Sequence, residues 1–256
     1  MKSLAGRGIV VTRPRHQAAA LAALIEDAGG RAVLFPTIEI KDLADPGPAL
    51  RVIDRLEEFQ LAIFISANAV QKGIELMRRQ AKAWPKGLRA AAVGAATRHE
   101  LERQGLADVL VPQVGADSEA LLALPALADV AGKRVLIFRG RGGREALAET
   151  LVARGAQVDY AECYFRGRPE ADSTPLLAGW ERGEVHAATV FSVAALANLA
   201  AMLGAAGGAL LKSTPLFVSH RRVADEALRM GVRTPVVAGP GDGEMTQRLV
   251  AYFSAT

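Results

Sequence analysis

The feature that most limits what this 256-residue chain can become is a repeat, in which residue n resembles residue n + 126 over most of its length. The segment RGIVVTRPRHQAAALAALIEDAGGRAVLFP (7–36) lies over KRVLIFRGRGGREALAETLVARGAQVDYAE (133–162). That register pairs Arg13 with Arg139, Arg15 with Arg141, Leu21 with Leu147 and Gly29 with Gly155. LAIFISANAV (61–70) falls on AATVFSVAAL (187–196) and sets Ser66 on Ser192. RAAAVGAATRHELERQGL (89–106) falls on PLFVSHRRVADEALRMGV (215–232), with Glu100 on Glu226 and Gly105 on Gly231. Alanine-rich segments match easily by chance, but one register that also superposes glycines and serines points to duplication. A period this long is a doubled domain rather than a solenoid.

Each copy reads as a buried strand, a loop with basic residues, an amphipathic helix, a glycine stop and a second strand. Further strand–helix pairs follow after a connector. Strands alternating with helices of roughly 10–16 residues predict parallel sheets covered on both faces. The expected fold class is therefore α/β, with two doubly wound parallel-sheet domains built from an internal duplication. The simplest boundary falls near Ala131, between the copies, although halves of such units can also exchange.

Half of the residues are hydrophobic, which is ample for two cores, and only 5% are aromatic. There is no run of about 18 apolar residues, so no membrane span is expected. The first residues enter a strand-like run without the pattern of a signal peptide. Cys163 stands alone, which excludes an intramolecular disulfide and a cysteine-cluster metal site. Together these features predict a cytoplasmic protein. A net charge of +4 suits an acidic small molecule but equally a solubilising surface, so it selects no function.

In open parallel sheets, ligands bind beyond the carboxyl ends of the strands, where helix N-termini present free N–H groups. The polar residues just after the predicted strands are therefore the candidates: Thr12 and Arg13, Ser66 and Asn68, Gly94 and Thr97, Arg139 to Arg144, Ser192, and Ser219 with His220 and Arg221. They could line an anionic ligand. Alternatively, Ser66, Ser192 and Ser219 cap their helices, worth about 1 kcal/mol each. RGRGGRE (139–145) lacks the Lys-Ser/Thr of a phosphate-binding loop and the third glycine of a dinucleotide fingerprint, yet a basic glycine-rich turn can form an anion nest. The four histidines have no metal-ligand spacing, and no H-E-x-x-H, paired-carboxylate or G-x-S-x-G pattern occurs. PTIEI (36–40) and ECYFR (162–166) hold corresponding places, mix β-formers with polar residues, and could each be a crossing linker. Within the second, Tyr164 is a phenol able to donate a proton, although an edge-strand tyrosine accounts for it as well.

Taken in order, VTRP (11–14), P-x-I-E-I (36–40), F-x-S-x-N-A-V (64–70), V-G-x-x-T (93–97) and D-S-E-A-L (117–121) resemble the uroporphyrinogen-III synthase family. So do V-L-I-F-R-G-x-G-G-R (135–144), E-x-Y-x-R (162–166), F-S (191–192) and G-D (241–242). The resemblance implies two α/β domains joined by a two-stranded linker, one of residues 1–38 and 167–256 and the other of residues 39–166. It implies conversion of hydroxymethylbilane to uroporphyrinogen III with no metal or organic cofactor. The implied ligand is a small polycarboxylate tetrapyrrole, with no nucleic acid and no membrane. A monomer is expected, with transient contact with the preceding enzyme of the pathway. Tyr164 matches the family's tyrosine that assists departure of the hydroxyl. Ser66, Asn68, Thr97 and Ser192 match positions near its cleft; Arg13, Arg139 and Arg144 are added as expected substrate ligands on their charge alone, and Ser219 on its place after a strand. S-H-R-R (219–222) departs from the family pattern, which leaves the role of Ser219 and Arg221 open. A non-enzymatic two-lobed ligand-binding or regulatory protein, or a homologue serving only as a scaffold, remains the alternative at this point.

Overall fold

The computed structural model describes residues 3–115, 117–143 and 145–255. In chain order it begins with β1 (Gly8–Val11), α1 (Arg15–Asp27), β2 (Arg31–Leu34), β3 (Glu39–Lys41), α2 (Gly47–Ile53) and β4 (Leu61–Phe64). α3 (Ala67–Arg79), β5 (Arg89–Ala92), α4 (Ala95–Arg103), α5 (Ser118–Leu122) and α6 (Pro125–Ala128) follow. Next come β6 (Arg134–Gly140), α7 (Ala146–Ala153), β7 (Gln157–Gly167), α8 (Thr174–Glu181) and β8 (Ala187–Val190). The chain ends with α9 (Val193–Ser213), β9 (Leu216–Val218), α10 (Arg221–Arg229), β10 (Pro235–Val237) and α11 (Asp242–Ser254).

Two compact units result, one of Met1–Glu39 with Gly167–Thr256 and the other of Ile40–Arg166. The simple cut near Ala131 is not where the chain divides; both boundaries fall within strands, β3 and β7. The first unit holds a sheet of order β10-β9-β8-β1-β2 and the second a sheet of order β3-β7-β6-β4-β5. The ladders β1–β2, β1–β8, β8–β9 and β9–β10 are parallel, as are β4–β5, β4–β6 and β6–β7. A shift of 126 residues carries β1 onto β6, β2 onto β7, β4 onto β8 and β5 onto β9, and the isolated Ala91–Leu110 bridge takes the place of β10. Each sheet thus joins the leading strand pair of one segment to the later strands of the other. Local sequence does not foretell this, because a strand edge offers the same row of N–H and C=O groups to either segment.

Alternation along each strand feeds two cores per sheet. In the first unit Ile9 and Val11 pack with Leu21, Ile25, Met245 and Leu249, while Val10 packs with Trp180, Leu196, Leu199 and Val223. In the second, Ile63 and Ile137 meet Leu121, Leu127 and Leu151, while Phe64 and Phe138 meet Val70, Met77 and Leu101. Burial on both faces is why these strands read as unbroken apolar runs.

The correspondence extends to backbone detail. Gly29 and Gly155 end α1 and α7 with φ of 90° and 85°, and Gly105 and Gly231 end α4 and α10 with 88° and 87°. A side chain at such an angle costs about 1–2 kcal/mol, so glycine stops the helix there. The first N–H groups of β1 and of β6, strands that the 126-residue shift superposes, also find equivalent acceptors. Gly8 donates to His186 Nδ1 (3.0 Å) and Arg134 donates to Gln60 Oε1 (2.9 Å).

Helix α9 exceeds the expected helix length. At 21 residues it is long and apolar enough, by length and composition alone, to cross a membrane, which the absence of an unbroken apolar run did not lead us to expect. Gly204 (φ 61°, ψ −162°) interrupts it, so two helical pieces run on from one another. Its Leu196, Leu199, Leu203 and Leu211 join the first unit's core, and Asn198 donates to the Thr37 carbonyl (2.7 Å).

Gly155→Ala should lower stability by about 1–2 kcal/mol in urea unfolding, because alanine must enter the left-handed region. Burial, and secondarily Arg7, holds His186 below the usual histidine range, and its bond from Gly8 requires a neutral ring. Its contribution is therefore present above pH 6.5, the ordinary value, and is lost as pH falls through the lower folded value. His186→Gln, which places the equivalent residue Gln60 at this position, should reduce the acid-side slope of the stability–pH curve. An unaltered slope would dismiss His186 as its source.

Candidate functional site

Parallel strands all end at one edge of their sheet, and the helices that follow begin there. Ser66, extended at φ −169°, caps α3 by accepting from Ala69 N–H (3.1 Å). Ser192, extended at φ −158°, caps α9 by accepting from Ala195 N–H, also at 3.1 Å. Ser219 behaves differently from the capping expectation. It is buried and donates to the Phe191 carbonyl (2.8 Å), while His220 occupies the cap position of α10 without a side-chain bond. Its hydroxyl is taken because the neighbouring strand end leaves that carbonyl within reach. Gly94 opens α4 with no side chain at all, Thr97 is buried in that helix, and Asn68 is half-buried in the first turn of α3.

Arg13 and Arg139 are each engaged by residues of their own unit. Arg13 Nη2 lies 2.8 Å from Asp242 Oδ1 and donates to the Pro240 carbonyl (3.3 Å), and the guanidinium sits 3.6 Å above the Phe191 ring. Arg139 is buried, donates to the Gly143 carbonyl (2.8 Å), and stacks on Tyr160 at 4.4 Å. Its Nη1 stands 2.9 Å from Glu145 Oε1 at an angle that makes an ion pair without a hydrogen bond. The RGRGGRE turn is thus held by its own arginine, and the cation is already balanced by a carboxylate. Arg144 lies outside the described residues.

Tyr164 is fully buried in the core of the second unit, and its Oη is 3.0 Å from Ser66 Oγ. Strand β7 runs between β3 and β6, so the edge-strand explanation of this tyrosine does not hold. Cys163, beside it, is a buried thiol whose pKa is pushed up to about 12 by burial and then by Glu162. Tyr160 was not singled out from sequence. Burial, and then the Glu145 carboxylate that accepts its hydrogen bond, pushes this phenol up to about 12, which makes it a poor proton donor near neutrality.

A cavity of about 270 Å³ opens in the second unit, floored by Ile65, Val93, Ile137 and Leu147 and edged by Ser118 and Arg166. Ile65 and Val93 directly follow β4 and β5, so the cavity lies at the carboxyl ends of the strands. Ser118 and Arg166 were missed as candidates although they belong to D-S-E-A-L and E-x-Y-x-R. A larger hollow, about 410 Å³, runs along edge strand β2 and α8 of the first unit, lined by Val33, Leu34 and Leu176. It follows the side of a sheet rather than the helix N-termini, so size does not make it the site. Among the described residues no three His, Cys, Asp or Glu side chains gather as a metal-ligand set.

A family model described as "Uroporphyrinogen-III synthase HemD" matches residues 19–246. The chain belongs to the uroporphyrinogen-III synthase family. A uroporphyrinogen-III synthase of Salmonella typhimurium (strain LT2) is 37% identical over 172 residues, covering 67% of this chain and 70% of that one. Its counterpart of Escherichia coli (strain K12) is 36% identical over 188 residues, 72% and 75% of the two chains. The solved structure of a uroporphyrinogen-III synthetase from Helicobacter pylori 26695 superposes with a TM-score of 0.60 at 14% identity, over 96% of this chain and 99% of that one. At that identity the likeness speaks for the α/β fold alone.

Ser192→Ala is expected to lower unfolding free energy by about 1 kcal/mol. Ser66→Ala is expected to lower it by more, because it also leaves the hydroxyl of buried Tyr164 without its partner. Unfolding midpoints unmoved in both would mean that serine capping does not stabilise these helices.

Proposed function

We propose that this chain is a lyase that cyclises hydroxymethylbilane to uroporphyrinogen III, with loss of water and inversion of the last pyrrole ring, in tetrapyrrole biosynthesis. Family membership supports the reaction. The observation that carries the site is the Tyr164–Ser66 contact at the head of α3. The substrate needs little activation, because a pyrrole nitrogen can expel the terminal hydroxyl and leave an electrophilic azafulvene. Tyr164, buried and bonded to half-buried Ser66, is proposed to supply the proton to that hydroxyl by way of Ser66 Oγ, which takes the phenol's proton as it gives up its own. The hydroxyl departs as water. The last ring then attacks through its substituted carbon, and the spiro intermediate reopens and recloses with the ring inverted. The proton released as the ring system regains aromaticity restores the phenol. Uncatalysed closure without inversion competes, so the protein's main task is to hold geometry.

Substrate carboxylates are proposed to meet N–H and hydroxyl donors at the strand-to-helix ends of the second unit, around Ser66, Asn68 and Thr97. Taken by itself, the first unit offers donors of the same kind at Ser192 and the backbone N–H groups after Ser219. Helix N-termini favour carboxylates through free N–H groups and the helix dipole. Arg13 and Arg139 enter this proposal as residues that shape their loops, since each already has a carboxylate partner. The matched strand orders, caps and glycines support an internal duplication whose halves exchanged strands. The neighbouring β3 and β7 support a two-stranded linker. The protein is further proposed to act as a cytoplasmic monomer, in keeping with its single buried thiol.

Incubation with fresh hydroxymethylbilane, oxidation and isomer separation tests the reaction. The inverted isomer should dominate at a rate above spontaneous closure, and only the non-inverted isomer at the spontaneous rate would refute it. Tyr164→Phe should reduce kcat by about 10²–10⁴-fold, the usual worth of a general acid, with far less change in KM. Unchanged turnover would remove Tyr164 from the mechanism.

A further inference from the structure

Tyr164 meets Ser66 because β7 carries one residue more than β6 at this level. Arg139 stands opposite Glu162, yet the next residue, Gly140, stands opposite Tyr164, so Cys163 is the extra residue of a bulge. In an unbroken strand Tyr164 would share a face with Tyr160 and Glu162. Past the bulge it joins Ala161 and Cys163 in the core cluster of Phe64 and Phe138. Bulges re-aim side chains in this way.

The re-aimed ring lies against Gly140. A Cβ there would meet Tyr164 Cε2 at 2.6 Å, Cζ at 2.8 Å and Cδ2 at 3.1 Å. Gly140 is not among the residues of positive φ, so it supplies space rather than an unusual backbone angle. Arg141 N–H fixes the adjoining backbone by donating to the Tyr164 carbonyl (2.8 Å). At the phenol end stands Ser66 Oγ, itself fixed by the bond from Ala69 N–H.

We infer that Gly140 and Ser66 are positioning residues for Tyr164, Gly140 by leaving room beneath the ring and Ser66 by engaging its hydroxyl. The inference rests on the proton-donor role proposed above. An alanine at position 140 displaces the ring, and a displacement of about 1 Å can cost on the order of 100-fold in rate.

The test compares Gly140→Ala, Tyr164→Phe and the double variant in kcat, KM and the ring NMR signal of Tyr164, assigned as the one missing from Tyr164→Phe. Gly140→Ala should lower kcat by roughly 10- to 100-fold with KM nearly unchanged, and should move the tyrosine signal. Added to Tyr164→Phe, it should cause no further loss of kcat. Losses that multiply, or an unmoved signal, overturn the inference. If Tyr164→Phe retains full turnover while Gly140→Ala still moves the signal, the proton-donor role fails and the seat for the ring stands. Should Gly140→Ala not fold, Ser66→Ala and Ser66→Thr carry the test. The first should lower kcat and the second, which keeps a hydroxyl, should restore most of it; equal kcat in Ser66→Ala and the native protein overturns the inference.

Discussion

Two parallel strands cannot be joined by a tight turn. The chain must travel back over a face of the sheet before it can begin the next strand, and a helix is the compact way to do so. Both faces become covered, β1, β4, β8 and β9 are buried on both sides, and the strands of the parallel ladders end at one edge of their sheet. In this protein that requirement places the starts of α3 and α4 at one edge of the second sheet and those of α9 and α10 at one edge of the first. The same requirement explains the helix ends. A returning helix must stop and re-enter the sheet within a few residues, which the left-handed glycines at 29, 105, 155 and 231 allow.

The carboxyl edge of the second sheet presents backbone N–H groups, the Ser66 and Ser118 hydroxyls and the Arg166 side chain. Arg13 and Arg139, which look available in the sequence, are already engaged. Arg13 is drawn onto Phe191 and Asp242, and Arg139 onto Tyr160 and Glu145. A guanidinium buried against an aromatic face needs its carboxylate close by, since an uncompensated charge there would be costly. Arg13 and Arg139 therefore fix their loops, and oriented N–H groups at the helix starts remain as donors. Fixed donors suit a reaction whose difficulty is geometric, because they need not reorganise as the substrate changes shape.

The candidate site was legible in part. F-x-S-x-N-A-V marks a strand running into a helix, and a serine at that junction is readable as a cap from local pattern alone. Ser219 sits in the same kind of junction and does otherwise, because the carbonyl it satisfies belongs to Phe191, 28 residues away. Tyr164 could be noticed as a phenol in a crossing segment, but its direction could not. Period-two alternation puts it beside Tyr160 and Glu162, and only the extra residue in β7 relative to β6 turns it toward Ser66. That extra residue is a relation between two strands and leaves no mark within either one.

Within the chain, properties that depend on near neighbours were already decided by the amino-acid order: apolar strands, amphipathic helices, glycine stops, and a 126-residue offset that keeps all of them in register. Tertiary structure alone decided which strands became neighbours, which arginine found which acid, and which way the buried phenol points. Arg13 and Asp242 lie at opposite ends of the chain, and β1 pairs with β8 across more than half of it. Such pairings are selected by the packing of whole sheets, where every strand edge is chemically alike until its flanking helices have somewhere to lie.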